Sequence, residues 1–202
     1  MSSKFVAAAA ALIAAALTLP ACQQSEENSK NAVATGETFE FITPGGQTEI
    51  RYAPEERKPL QEFSGEDLMN EGETISLSDF DDQIVVLNSW GQWCAPCRSE
   101  SDDLQRVHEK LQEDKAGTVF GINVRDYNPQ ISRDFKEDNG LEYPSIYDPP
   151  FKTAAALGGV PTAVVPTTIV LDKQHRPAAV FLREITDQDL LEVVEELEQE
   201  SA

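Results

Sequence analysis

Two cysteines separated by two residues are the most reactive feature of this chain, and they lie in the segment Trp93-Cys94-Ala95-Pro96-Cys97. A strongly apolar run at residues 84–87 precedes this segment, and a helical pattern follows it. A Cys-x-x-Cys pair between a strand and a helix is typical of sites that exchange electrons with other thiols. A thiolate attacks a disulfide sulfur, and a second thiol resolves the mixed disulfide. The spacing therefore predicts a redox-active dithiol.

The start of a helix gives the two sulfurs different roles. Unpaired amide groups and the helix dipole stabilise negative charge there, which lowers a thiol pKa below about 8.5. We therefore expect Cys94 to be the exposed attacking thiol and Cys97, one turn later, to be the resolving thiol. Two alternatives remain open: half of a zinc site, which would need further ligands, and an inert disulfide that closes a very small loop.

Two further side chains beside the dithiol are candidates for the site. Glu100 follows Cys97 by three residues and precedes Leu104 by four, so it falls on the inward stripe of the helix. Burial would raise its pKa and allow it to exchange protons with the Cys97 thiol. The alternative is a glutamate at the stripe edge that reaches water. Trp93 is expected to be half exposed and to form part of a substrate-docking surface.

A proline precedes the predicted strand at residues 167–171, in the segment Val165-Pro166-Thr167. Proline is tolerated at the first residue of a strand. A cis peptide bond would turn the backbone of Val165 toward a neighbouring loop, although such bonds are a minority of X-Pro bonds. A second Val-Pro-Thr copy at residues 160–162 leaves open which proline faces the dithiol.

The N-terminus has the features of an export signal. A weakly basic start precedes 15 uncharged, alanine-rich residues, which predicts a signal peptide at residues 1–21 and is too short for a membrane span. Leu19-Pro20-Ala21-Cys22 resembles a bacterial lipobox, in which the cysteine is acylated. Of three cysteines, lipid would take Cys22 and leave one pair. The alternative is a secreted protein with a spare thiol. Residues 22–36 are polar and predict a flexible tether.

The charge balance excludes one class of partner. The 202 residues include 16 Lys and Arg against 36 Asp and Glu, for a net charge of −20. Nucleic acid requires a basic surface, so it is excluded as a partner.

Secondary-structure signals divide the remaining chain in two. Residues 39–42 and 49–52 flank a turn containing Gly45-Gly46, which predicts a β-hairpin within an N-terminal extension at residues 37–73. From residue 74 to 202 the predicted order is β-α-β-α-(short helix)-β-β-α. This order indicates an α/β domain with a mixed sheet and helices on both faces.

Residues 74–198 resemble the thioredoxin superfamily, specifically the TlpA/ResA/CcmG-like extracytoplasmic branch. The resemblance implies a three-layer α/β/α fold, Cys94 as attacking and Cys97 as resolving thiol, and Pro166 as a cis-proline facing the disulfide. It also implies an acidic role for Glu100 near the buried thiol, because Asn88 replaces the buried aspartate of cytoplasmic thioredoxins. The segments that carry it are Ser76-Leu77-Ser78-Asp79-Phe80, Val85-Val86-Leu87-Asn88-Ser89-Trp90, Trp93-Cys94-Ala95-Pro96-Cys97-Arg98-Ser99-Glu100, Tyr143-Pro144-Ser145 and Val165-Pro166-Thr167-Thr168-Ile169-Val170-Leu171-Asp172.

This resemblance also implies a function. We expect a membrane-anchored, extracytoplasmic thiol–disulfide oxidoreductase that needs no metal or other cofactor. It would reduce disulfides of exported proteins such as apocytochrome c, drawing electrons from a CcdA-type membrane protein. The first alternative is an oxidase or isomerase for exported proteins. The second is a copper-delivery lipoprotein, whose relatives use Cys-x-x-x-Cys and a distant histidine; here His108 is expected on a helix surface and His175 in a solvent-exposed turn.

Overall fold

The computed structural model describes residues 36–42 and 45–200. The predicted signal peptide, Cys22 and the tether up to residue 35 lie outside these residues. Within the described ranges, no helix has the length and apolar character needed to cross a bilayer. The strands are β1 (Glu49–Arg51), β2 (Ser64–Asp67), β3 (Thr74–Ser76), β4 (Ile84–Trp90), β5 (Gly117–Asn123), β6 (Ser145–Tyr147), β7 (Thr167–Leu171) and β8 (Pro177–Phe181), and the helices are α1 (Ala95–Ser99), α2 (Ser101–Glu113), α3 (Pro129–Asp138) and α4 (Asp187–Glu200).

One mixed sheet of eight strands, in the order β1-β8-β7-β4-β5-β6-β2-β3, organises the described residues. Strand β4 lies at its centre, parallel to β5 and antiparallel to β7. Ile84 and Val86 face the core on one side of the sheet, whereas Val85 and Leu87 face the core on the other. Burial on both faces explains why β4 has no polar alternation, and it accounts for the apolar run at residues 84–87.

The two faces of the sheet are covered differently. Helices α2 and α4 pack on one face, and α3 joins them through Phe135. The other face is covered by the N-terminal extension, which contributes Phe39, Leu60 and Phe63, and by a short 3-10 turn at Lys152–Ala155. The helices on this face are therefore two short 3-10 helices, at Leu77–Phe80 and Lys152–Ala155, and irregular segments of the extension supply the remaining apolar side chains.

The hairpin of the extension is not the predicted one. Residues 39–42 form no strand, and the Phe39 N–H donates instead to the Pro59 carbonyl oxygen at 2.9 Å. Strand β1 pairs with the edge strand β8, with Ile50 opposite Val180. The hairpin that does form is β2 with β3, and it joins the sheet through β6. An isolated two-stranded hairpin is marginally stable, so pairing with the large sheet prevails.

Candidate active site

A tight turn after β4 brings the cysteine segment to the edge of the sheet. Gly91 lies so close to Trp93 that an added Cβ would approach its Nε1 to 2.3 Å. The Trp93 Nε1–H donates to the Val124 carbonyl oxygen at 3.0 Å, which fixes the ring beside the end of β5. Trp93 remains 44% exposed, as predicted. Only glycine permits this close approach, and sequence reasoning did not identify Gly91.

Cys94 and Cys97 form a disulfide at the N-terminus of α1. Cys94 caps the helix, and the backbone N–H of Cys97 donates to Cys94 Sγ at 3.3 Å. Cys94 was expected to be exposed, but both cysteines are 3% exposed in this disulfide form. Trp90 and Val165 pack against them in one apolar cluster, which explains the burial.

The cis peptide bond lies at Val165-Pro166, which decides between the two Val-Pro-Thr copies. The Val165 carbonyl oxygen lies 3.6 Å from Cys94 Sγ. The loop before β7 and the start of α1 therefore face each other across Cys94, and any partner sulfur that reaches Cys94 must approach beside this loop.

Glu100 is fully buried at the junction of α1 and α2. Its Oε1 accepts a hydrogen bond from Asn88 Nδ2 at 2.8 Å, and its Oε2 accepts one from the Ile185 N–H at 3.1 Å. The pKa of Glu100 is raised to about 8, mainly because the carboxyl is buried; the two hydrogen bonds oppose this rise, and the charges of Glu184 and Asp103 add to it. The Glu100 side chain therefore points into the protein and does not reach water.

Asn88 connects Glu100 to the cis-proline strand. It is fully buried on β4, and its Nδ2 also donates to Thr168 Oγ1 at 3.0 Å. Its Oδ1 has no hydrogen-bond partner among the described residues. Because the amide presents its hydrogens to Glu100, this arrangement favours the ionised carboxylate. The resemblance drew attention to Asn88 only as a replaced aspartate, and it did not predict this contact.

A buried carboxylate also positions the segment before Cys94. Asp126 Oδ2 accepts hydrogen bonds from the Gln92 N–H, Asn123 Nδ2 and Ser132 Oγ, each at 2.8 Å. Asp126 is 8% exposed and ties the cysteine loop to the end of β5 and to α3. Sequence reasoning missed this residue, because its three partners come from three separate segments.

The histidines do not assemble a metal site. His108 is buried, with its Nδ1 3.3 Å from Thr118 Oγ1, so the prediction of a surface position is wrong. His175 is also largely covered, and its Nε2 lies 3.0 Å from the Phe80 carbonyl oxygen. Across residues 36–42 and 45–200, no three His, Cys, Asp or Glu side chains are grouped closely enough to hold a metal ion.

Comparison with known proteins finds relatives that share a thiol–disulfide chemistry or a related family. The model of the AhpC/TSA family matches residues 57–176. The thiol-disulfide oxidoreductase ResA of Halalkalibacterium halodurans is 28% identical over 139 residues, covering 69% of this chain and 75% of the relative.

Two solved structures are more similar in sequence. A DsbF homologue from Corynebacterium diphtheriae is 67% identical with a TM-score of 0.76, covering 79% of this chain and 99% of the relative. A secreted thiol-disulfide isomerase from Corynebacterium glutamicum is 63% identical with a TM-score of 0.78, covering 80% of this chain and 98% of the relative.

The sheet, the Cys94–Cys97 disulfide at a helix N-terminus and these relatives agree with one another. The predicted fold and the predicted activity are confirmed. The chain belongs to the AhpC/TSA family of thioredoxin-fold proteins, and it is a thiol–disulfide oxidoreductase of the extracytoplasmic type.

Proposed function

We propose that this protein introduces or rearranges disulfides in exported proteins, with Cys94 as the sulfur that forms the mixed disulfide. The observation that carries this proposal is the hydrogen bond from the Cys97 N–H to Cys94 Sγ at the start of α1. An amide that points at a sulfur stabilises its thiolate. Stabilising the reduced form makes a dithiol pair more oxidising.

The proposed reaction has two exchange steps. A substrate thiolate attacks Cys94 Sγ, the Cys94–Cys97 bond breaks, and Cys97 leaves as a thiolate. A second substrate thiolate then attacks the substrate sulfur of the mixed disulfide and expels the Cys94 thiolate. The substrate loses two electrons and the protein gains them, so the protein ends as a dithiol. Isomerisation passes through the same mixed disulfide between Cys94 and the substrate. In that case it forms when the reduced Cys94 thiolate attacks a non-native disulfide of the substrate and releases one substrate sulfur as a thiolate.

Glu100 is the proposed proton donor and acceptor for Cys97. Because burial keeps its pKa near 8, Glu100 holds a proton at neutral pH and can donate it to Cys97 as that sulfur leaves. In the reverse direction the carboxylate takes the proton back. Trp93 and the backbone of Val165 are the proposed docking surface for the substrate segment, because they flank Cys94.

The direction of electron flow rests on the relatives as well as on the site. The two Corynebacterium structures, at 67% and 63% identity, are a DsbF homologue and a thiol-disulfide isomerase, which favours oxidation or isomerisation. The ResA relative at 28% identity supports a second candidate, the reduction of apocytochrome c with electrons from a CcdA-type membrane protein.

The reduction potential decides between the two candidates. Equilibration with glutathione buffers, followed by alkylation of free thiols, would measure it. A potential more positive than about −200 mV is expected for an oxidase or isomerase, whereas one near or below about −270 mV would overturn that direction in favour of a reductase. Reactivation of scrambled ribonuclease by wild type, and its loss in Cys94→Ser, would test the attacking role separately.

We also propose that the mature chain is held at the outer face of the membrane through acylated Cys22. The basis is the lipobox-like segment, because two acyl chains give stable anchoring. In a fractionated bacterial host, wild type should sediment with membranes and Cys22→Ser should appear in the soluble fraction. Equal distribution of both proteins would indicate secretion without an anchor.

A further inference from the structure

Two arginines differ from the others in their partners. Although the chain carries a net charge of −20, two of its eight arginines, Arg98 and Arg125, form no ion pair within the described residues and bind backbone carbonyl oxygens instead. The other six pair with carboxylates: Arg51, Arg57, Arg106, Arg133, Arg176 and Arg183.

Both unpaired guanidinium groups contact the two residues that precede Cys94. Arg98 Nη1 donates to the Gln92 carbonyl oxygen at 2.7 Å. The guanidinium carbon of Arg125 lies 5.6 Å from the ring centroid of Trp93, within the range of a cation–π contact. Arg98 is exposed and Arg125 is partly exposed. The two residues before Cys94 therefore contact two positive charges, and no carboxylate within residues 36–42 and 45–200 pairs with either charge.

The nearby carboxylate of Asp126 is not presented at the surface beside these two arginines. Asp126 is 8% exposed, and its Oδ2 is engaged by three internal donors. The adjacent Tyr127 is 80% exposed. The exposed Trp93 ring and the two guanidinium groups beside it form a combination that suits an anionic polypeptide segment.

We propose that Arg98 and Arg125 form a cationic rim beside Cys94, which selects polypeptide substrates that carry acidic side chains next to the reacting cysteine. This inference rests on the proposed action on protein substrates and adds the class of substrate. The Debye length is about 8 Å at physiological ionic strength. Distant acidic groups of the protein are therefore screened, whereas the two rim charges act directly on the docked segment.

Three cystine-linked peptides test the rim, identical except that Glu, Gln or Lys flanks the cysteine. The reduced protein is mixed with each peptide, and the second-order rate constant of thiol release is measured at physiological salt. In wild type the Glu peptide should react about tenfold faster than the Lys peptide. Arg98→Gln and Arg125→Gln should each lower this ratio about threefold, the size expected for a partly exposed charge pair, and the double variant should bring it close to one.

The ratio separates substrate selection from thiol activation. If the arginines only stabilised the Cys94 thiolate, their removal would change all three rates equally and leave the ratio intact. Lys115→Gln is the matched control, because Lys115 is exposed and precedes the opposite end of β5; it removes the same charge and should leave the ratio unchanged. A similar Glu-to-Lys rate ratio in wild type and in the double variant would refute the proposed substrate selection by the cationic rim.

The Gln peptide distinguishes failure of the rim from failure of the proposed function. Turnover of the Gln peptide with no charge preference would leave protein thiol exchange standing and refute the rim alone. No reaction of wild type with any of the three peptides would refute action on polypeptide disulfides, and the rim with it.

Discussion

Burial of Glu100 predicts an unusual dependence of stability on pH. The test compares wild type with Glu100→Gln, both in the disulfide form, so that neither Cys94 nor Cys97 titrates. The glutamine keeps the shape of the side chain at the α1–α2 junction but cannot ionise. Any difference in the pH dependence of unfolding between the two proteins therefore reports the ionisation of Glu100.

The sign and size follow from the two pKa values of this carboxyl. In the folded state its pKa is about 8, against an ordinary value of 4.5. Between these values the folded protein holds one more proton than the unfolded chain, so the free energy of unfolding falls as the pH rises. At 1.36 kcal/mol for each pH unit, wild type should lose about 4 kcal/mol between pH 5 and pH 9 relative to Glu100→Gln.

Urea denaturation followed by tryptophan fluorescence, at intervals from pH 5 to pH 9, measures this difference. Other titrating groups, such as the buried His108 and Lys136, are present in both proteins and cancel. Glu113→Gln removes the same charge from an exposed position on α2, and its curve should run parallel to that of wild type. Parallel curves for wild type and Glu100→Gln would refute the buried, proton-holding Glu100 and its proposed proton transfer.

Three further substitutions test neighbouring parts of the same argument. Cys97→Ser should accumulate mixed disulfides with substrate on non-reducing gels, and their absence would count against its resolving role. Asn88→Leu removes a hydrogen bond to the Glu100 carboxylate, which is worth about 1.5 to 3 kcal/mol. The Glu100 pKa should therefore rise by about one to two pH units in a ¹³C-carboxyl NMR titration. An unchanged titration midpoint would contradict the contact between Asn88 and Glu100. Burial lowers the Lys136 pKa to about 8 from 10.5. Between pH 8 and pH 10.5, wild type should therefore gain about 3 kcal/mol of stability relative to Lys136→Met in urea titrations.

Local signals were sufficient for much of the fold. The apolar run at residues 84–87 predicted the central strand. Asn128 followed by Pro129 is a local signal for a helix start, and α3 begins there, with the Asn128 side chain accepting the Gln130 N–H. Such features depend on neighbours within a few residues. The Cys-x-x-Cys spacing similarly identified the dithiol, and the helical stripe placed Glu100 inward.

Features that depend on distant partners were not predictable in this way. The strand at residues 49–51 takes β8 as its partner, 130 positions further along the chain, and a local turn signal suggested residues 39–42 instead. Asn88 donates to Thr168 across 80 positions, and Asp126 accepts from Gln92 across 34. The hydrogen-bond partners of a buried polar side chain are set by the assembled sheet, and no periodicity in the chain encodes them.

The short outer strands of the sheet have a consequence for the proposed action on exported proteins, whose chains would be incompletely folded when they meet Cys94. Such chains carry unsatisfied main-chain groups that add readily to any long open β-edge. Here the edge strands β1 and β3 are three residues each, so a substrate chain finds few main-chain groups to pair with at either edge of the sheet. Engagement is then confined to the neighbourhood of Cys94, and the substrate chain can depart once its sulfur chemistry is complete.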